Sequence, residues 1–244
     1  MNKTKSKYTI MLSAITIVYL GIIVILAILF VDQRFNLKMK ENMVNRLKSN
    51  IELDHRMFSQ YENDLKRNML ITWVVSKSRL NYCDANLIVS HVLNSVDNIY
   101  RYNTKYVYNE KYIDDLDLLL LAIMRTESSF KIKAKSNVGA IGLLQIYPSK
   151  DILKYLNDNR PIYLNKVDKK SLYSPEINIF SGIMMIDQYI SIIVNRYPLK
   201  DFSKINNKWK IKKILSLYLG KYNDKYFCTV YNDFIKLKDI MDNI

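Results

Sequence analysis

Glycine is scarce in this chain: five of 244 residues, beside four prolines, two cysteines and two histidines. A residue this rare belongs where backbone geometry demands it. Gly139, Gly142, Gly182 and Gly220 fall in three segments of the second half, and Gly21 stands alone in an apolar run. Neither glycine nor proline occurs between Phe35 and Asn137, so that half should be helical without sharp breaks. Cys83 and Cys228 lie far apart and give no metal-ligand spacing. They read as two reduced, packed thiols, although a disulfide is open to them outside the cytosol. His55 and His91 are isolated and read as structural or surface residues. Acids are outnumbered, with 23 Asp and Glu against 37 Lys and Arg and a formal charge of +14. Such an excess suits nucleic acid, acidic lipid or an acidic wall polymer. The lysines are nevertheless spread through a composition rich in Lys, Asn, Ile and Tyr. No dense basic block or nucleic-acid signature occurs, so nucleic acid is not expected as a partner.

Hydrophobic residues make up 49% of the chain, enough for a packed core and against pervasive disorder. The longest apolar run, Thr9–Val31, carries no charge and follows Lys3, Lys5 and Lys7. At ~1.5 Å per residue it would span ~34 Å, enough to cross a bilayer. It ends Ala27-Ile28-Leu29-Phe30-Val31-Asp32, a poor cleavage site with no lipobox cysteine, so an uncleaved signal-anchor is expected. Arg34, Lys38 and Lys40 nearly balance the three preceding lysines. Long following domains translocate largely regardless of charge, so a short cytoplasmic N-terminus (1–8), a transmembrane helix (9–31) and an extracytoplasmic remainder are expected.

Residues 32–80 read as a helical stalk. Leu37, Val44, Ile51, Phe58 and Leu65 recur every seven residues, but the companion positions Lys40, Leu47, Asp54, Tyr61 and Asn68 are only partly apolar. A weak coiled coil and a helix resting on its own domain explain this equally well. From residue 81 on, Asp84 is expected to cap a helix reaching about Tyr100, and Arg101–Glu110 to be a tyrosine-rich connection. Asp114 or Asp115 then starts a very apolar helix, Leu116 to about Thr126. Helices are expected at Ser149–Tyr155, from the Ser174 cap with Pro175 at its first position to about Tyr197, at Trp209–Leu219 and at Tyr226–Met241. Pro198 should stop the third of these four, and Leu156–Lys170 and Asp201–Lys208 read as polar loops. No strand alternation and no internal repeat occur, so the fold class is all-α.

The stretch Thr126–Pro148 carries the chemistry. Glu127 follows the most apolar helix, where burial and the negative end of the helix dipole both raise a carboxyl pKa. A glutamate tuned upward suits a general acid at neutral pH. Ser136 lies nine residues on and Gln145 eighteen. Between them Gly139-Ala140-Ile141-Gly142 is small enough for close backbone approach. Gln145, flanked by Leu143, Leu144 and Ile146, needs a specific partner for its amide.

These residues resemble the soluble lytic transglycosylase (SLT) domain family, which shares the lysozyme-like fold. The match runs through Glu127-Ser128-Ser129-Phe130, Ser136, Gly139-Ala140-Ile141-Gly142-Leu143-Leu144-Gln145-Ile146 and Pro148. It continues in Pro175-Glu176-Ile177-Asn178-Ile179-Phe180-Ser181-Gly182, and overall it covers roughly Asn81 to Ile244. A late tyrosine motif is less regular: Tyr218 with Gly220 fits it with Leu219 in place of the family's asparagine, and Tyr222-Asn223 is the competing alignment. The resemblance implies a goose-type or lytic-transglycosylase helical domain at 81–244 that cleaves the β-1,4 bond between N-acetylmuramic acid and N-acetylglucosamine in peptidoglycan. It implies Glu127 as the catalytic acid and base, with Ser136, Gly142, Gln145, Asn178 and Tyr218 binding substrate or orienting the glutamate. It implies no cofactor and no metal. The matched motif offers no second carboxylate, whereas glycosidases ordinarily use a pair. An intramolecular C6 hydroxyl, closing to a 1,6-anhydro product, can replace activated water. Asp151 and Glu176, the nearest downstream acids, read as structural. A water-using muramidase of the goose type and a catalytically degenerate wall-binding scaffold are the alternatives. Tethering at the membrane would fit local wall remodelling, or gap opening for a wall-spanning or division assembly.

Overall fold

The computed structural model describes residues 2–98, 114–197 and 205–243, with side chains described from residue 20 on. The expected tyrosine-rich connection at Arg101–Glu110, the stop at Pro198 and the start of the expected Asp201–Lys208 loop lie outside the described residues. Every described element is helical: α1 (Asn2–Lys77), α2 (Tyr82–Asp97), α3 (Leu116–Ser128), α4 (Lys150–Asn159), a single 3₁₀ turn (Ser171–Tyr173), α5 (Pro175–Arg196), α6 (Asn207–Tyr218) and α7 (Asp224–Asp242). Among the described residues, extended pairing is confined to isolated bridges, Lys135 with Ile141 and Ile141 with Ile146. The all-α expectation holds.

The chain divides into two compact units, Met1–Tyr61 and Glu62–Ile244. The first consists of one uninterrupted stretch of α1. Its described apolar residues, from Leu20 through Val31 and on to Leu37, Val44, Ile51 and Phe58, are all exposed.

The second unit holds the core. Its first contributors are Leu70, Ile71, Trp73 and Val74 near the end of α1, each no more than 5% exposed. The domain start expected at residue 81 therefore leaves out part of α1 that packs in the core. Trp73 meets Phe130 edge-on, with ring centroids 5.9 Å apart. Helix α3 runs through the middle, with Leu119 to Met124 buried on every side, and packs against α2 and α7. A helix apolar all round is stable only as a central element. Helix α5 is the other deep one; it is long and apolar enough to cross a membrane, but it buries Ile177 through Ile186 in the core.

Ionic clasps fix α3 in place. Asp117, buried in its first turn, takes Lys66 of α1 at 2.8 Å. Asp115 Oδ2 accepts from Lys238 Nζ, and Asp233 Oδ2 accepts from Arg125 Nη1, each at 2.5 Å. The low end of α3 thus meets the high end of α7 and the reverse, so the two helices run antiparallel. Removing Arg125 strands the buried Asp233 carboxylate, a loss of about 1–3 kcal/mol.

Several boundaries differ from expectation for local reasons. Asn81, not Asp84, caps α2: its side chain accepts from the Asp84 N–H at 2.9 Å and its amide donates back to the Asp84 carboxylate at 3.0 Å. Ser149 caps α4 through the Ile152 N–H, and the helix runs on to Asn159 rather than stopping at Tyr155. Asn206 and Asn223 cap α6 and α7, starting each two residues earlier than the apolar pattern suggests. Ser174 stands at the α5 N-cap without a side-chain cap bond. Cys83 and Cys228 are free but exposed, not packed as expected.

Candidate functional site

Glu127 occupies the last turn of α3 and not the loop after it. The helix ends because Ser129 and Phe130 both adopt left-handed backbone, at φ 48° and 61°. Neither is glycine, so each costs about 1 kcal/mol. Burial of Phe130 and the bonds from Ser129 N to Arg125 O and from Phe130 N to Met124 O hold the turn. This reversal leaves Glu127 half-buried at the C-terminal end of the most apolar helix.

Among the described residues, one group hydrogen-bonds its carboxylate. Tyr226 in the first turn of α7 donates its hydroxyl to Glu127 Oε1 at 2.5 Å. Two opposing effects act on Glu127: burial raises its pKa, and the Tyr226 hydrogen bond pulls it back in part, leaving it raised. Two more tyrosines complete the surroundings. Tyr218 and Tyr189 meet edge-on with centroids 6.1 Å apart, and both lie close enough to Tyr226 to act on its titration. Burial holds all three phenols protonated, Tyr189 at about 12 and the other two well above the ordinary tyrosine value. The glutamate thus accepts from one neutral phenol, Tyr226, and lies near a second, Tyr218, whose hydroxyl is committed to the loop.

The loop after α3 is built around one amide. Asn178 of α5 is 1% exposed, and its side chain is fully engaged. Its Oδ1 accepts from Leu144 N at 2.8 Å, and its Nδ2 donates to the carbonyls of Ile141 and Leu172 at 3.0 and 2.9 Å. Gly142, at φ +80°, lies against it: a Cβ there would come within 2.2 Å of Asn178 Nδ2 and 2.6 Å of Leu172 O. Gly182 serves the same loop, since its missing Cβ makes room for Leu144 Cδ1. Asn178 and Gly142, expected to bind substrate, clamp the loop from within, with the Asn178 amide engaged by backbone partners.

The remaining expected site residues are accounted for as follows. Gln145 sits at φ +45°, half-buried, with its Nε2 donating to Gly142 O at 2.9 Å. Ser136 Oγ accepts from Ala140 N at 3.0 Å, bracing the turn that contains Gly139. Its partner is thus the loop backbone and not Glu127. Tyr218 donates to Leu144 O, so the Leu144 peptide is held at its N–H by Asn178 and at its carbonyl by Tyr218. Tyr222, the alternative site tyrosine, is exposed and bonded to Asp224, and Asn223 beside it is the α7 cap. Asp151 and Glu176 lie in the first turns of α4 and α5, where the helix dipole favours a negative charge.

Sequence reasoning missed Tyr226. The signal was present: Tyr226 precedes Val230, Asp233, Phe234 and Leu237 at helical spacing, and these are the residues α7 buries. Starting α7 at its true cap would have placed the phenol on the face turned to α3.

Taken together, the arrangement can deliver and recover a proton. A carboxyl with a raised pKa ends a rigid helix, a phenol steadies its charged form, and the Gln145 loop is fixed by polar bonds to α5 and α6.

Residues 107–210 match the family model described as the transglycosylase SLT domain. The segment includes Glu127, Ser136, Gly142, Gln145 and Asn178; Tyr218 and Tyr226 lie beyond it. Two curated relatives are each named membrane-bound lytic murein transglycosylase C, from Histophilus somni strains 2336 and 129Pt. Each is 36% identical over 84 residues, covering 32% of this chain and 22% of the relative. The aligned part of the chain thus spans about a fifth of the length of those relatives. Among solved structures, the 70 kDa soluble lytic transglycosylase of Escherichia coli aligns over 76% of this chain and 33% of its own, at 19% identity and a TM-score of 0.29.

Proposed function

We propose that this chain, which carries a transglycosylase SLT domain, is a lytic transglycosylase that cleaves peptidoglycan between N-acetylmuramic acid and N-acetylglucosamine. The observation that carries the reading is Glu127, raised in pKa by burial and bonded by Tyr226. In this reading one group serves as acid and as base.

Glu127, protonated, donates to the glycosidic oxygen as the bond from that oxygen to muramoyl C1 breaks. The leaving sugar departs with the proton. The resulting carboxylate, steadied by the Tyr226 hydroxyl, takes the proton of the muramoyl C6 hydroxyl while that oxygen bonds to C1. The product is a 1,6-anhydromuramoyl end, water is not consumed, and Glu127 returns to its starting protonation state. Gln145, Ser136 and Tyr218 act in this scheme by presenting and fixing the loop against which the glycan lies.

The same reading gives the chain an address. Residues 9–31 form a single span, the following stretch of α1 up to about Tyr61 a stalk, and the SLT-type domain acts outside the cytoplasm, where its polymer lies. The exposed apolar run from Leu20 to Val31 supports this, as does the word membrane-bound in the relatives' names.

Digestion of purified sacculi by the full chain tests the activity. The expected product carries a 1,6-anhydromuramoyl end, and the Glu127→Gln variant makes none. A reducing muramoyl end would identify a water-using muramidase, and equal lysis by the variant would remove Glu127 from the mechanism.

A further inference from the structure

Helix α7 meets the last turn of α3 at two polar points. Tyr226 donates to Glu127, and two turns further along the same face of α7 Asp233 accepts from Arg125 Nη1, each at 2.5 Å. Glu127 and Arg125 leave α3 about 200° apart around its axis, yet both end on α7, so they straddle it. Asp233 is buried, and Arg125 reaches it from a half-buried position.

The other contacts of this face are apolar: α7 buries Phe227, Val230, Phe234 and Leu237. Apolar burial is non-directional, so it draws α7 onto α3 without fixing how far along α3 it lies. The phenol needs that distance fixed. A slip of ~1.5 Å, the rise of one residue, carries a hydroxyl out of hydrogen-bonding range. A short charge-assisted bond is directional and opposes such a slip.

We propose that Arg125 and Asp233 are positioning residues for the acid: their ion pair sets the register of α7 on α3 and so holds the Tyr226 hydroxyl on the Glu127 carboxylate. The inference rests on the reading of Glu127 as acid and base. A buried ion pair gains little net stability over apolar residues of similar volume. What this one supplies is geometry at the end of α3 where the chemistry lies. The clasp between Asp115 and Lys238 joins the same two helices, but from the N-cap of α3, ~18 Å along the helix from Glu127. It fastens the pair of helices without setting the phenol. Tyr218 and Tyr189, the other phenols of the site, stand on α6 and α5, so the register of α7 leaves them in place.

The test reads Glu127 itself. The full chain in detergent is labelled with 13C at the glutamate carboxyls, the Glu127 signal is identified by its loss in Glu127→Gln, and its titration midpoint is followed by NMR. Tyr226→Phe is expected to raise the midpoint, since the phenol pulls it down. Arg125→Met and Asp233→Leu keep side-chain volume and should each reproduce most of that rise. Neither should add to it when combined with Tyr226→Phe, and Lys238→Met should leave the midpoint where it is. Asp233→Leu carries the decisive sign: loss of a negative charge acting through space lowers a carboxyl midpoint, whereas loss of the phenol raises it. A fall or no movement in Asp233→Leu would overturn the proposal, a fall toward the ordinary value near 4.5 being what mere unfolding gives. No rise in Tyr226→Phe, additive shifts in the double variants, or an equal shift in Lys238→Met would overturn it too. The expected shifts in a chain that releases nothing from sacculi would refute the transglycosylase reading and leave the positioning role standing; cleavage with unmoved midpoints would do the reverse.

Discussion

Tyr226 and Glu127, 99 residues apart in sequence, share a hydrogen bond of 2.5 Å between phenol and carboxylate. The phenol favours the charged glutamate, and burial opposes it. Tyr226→Phe removes the first effect and keeps the second, so the Glu127 pKa should rise further. The basic limb of the pH–rate profile on sacculi, which reports loss of the acid's proton, should move to higher pH. Turnover should fall by about tenfold to a hundredfold, since a bond to a charged group is worth about 1.5–3 kcal/mol. An unmoved limb in that profile would show that the phenol does not steady the acting carboxylate.

Glu127→Gln should do more than abolish lysis. A group whose folded pKa is raised contributes stability that is full below its unfolded value and is lost as pH rises through the folded one. The unfolded value is near 4.5, so wild type and variant should melt together below it. At neutral pH the variant should be the more stable of the two. Thermal melts from pH 4 to 8 check the sign: a variant that is less stable at pH 8 would contradict burial as the dominant influence.

Asn178→Ala leaves the buried Leu144 N–H without a partner and frees two carbonyls, a loss of about 2–3 kcal/mol. Gly142→Ala drives a methyl group into Asn178 from a left-handed backbone and should cost as much or more. Gly139→Ala shares the backbone penalty but meets only Tyr147 Cε2 at 4.0 Å, so it should be the milder change. Urea titrations of the three variants give the order directly. Similar midpoints for Gly142→Ala and Gly139→Ala would argue against the clamp.

Tyr218 and Tyr222 separate just as cleanly. Tyr218→Phe releases the Leu144 carbonyl and should lower kcat by roughly tenfold, the value of one lost hydrogen bond at the loop. Tyr222→Phe breaks only an exposed contact with Asp224 and should stay within about twofold of wild type. Steady-state rates on sacculi decide, and the reverse order would return the role to Tyr222.

The helices were legible wherever apolar spacing was strong, as in α3 and α5. Their starts were less so, because Asn81, Asn206 and Asn223 act through side-chain geometry that periodicity does not report. Of the site, Glu127 could be read from the company it keeps, a carboxyl at the end of an apolar helix followed by Ser136, the Gly139–Gly142 segment and Gln145 in a pattern that resembles the SLT domain. What Asn178 and Gly142 hold was not legible, since a polar amide and a tight glycine are equally suited to gripping a sugar or gripping a backbone.

The sequence by itself determined what is local. It set helix against strand through periodicity, an apolar segment of membrane-spanning length near the N-terminus, and a carboxyl placed where burial raises its pKa. Tertiary structure alone decided what depends on partners distant in sequence. Packing α7 antiparallel to α3 made Tyr226, rather than Tyr222, the neighbour of Glu127. Closing α5 onto the loop spent Asn178 on structure. Burial and hydrogen bonding act through space, and spacing along the chain carries no record of which faces will meet.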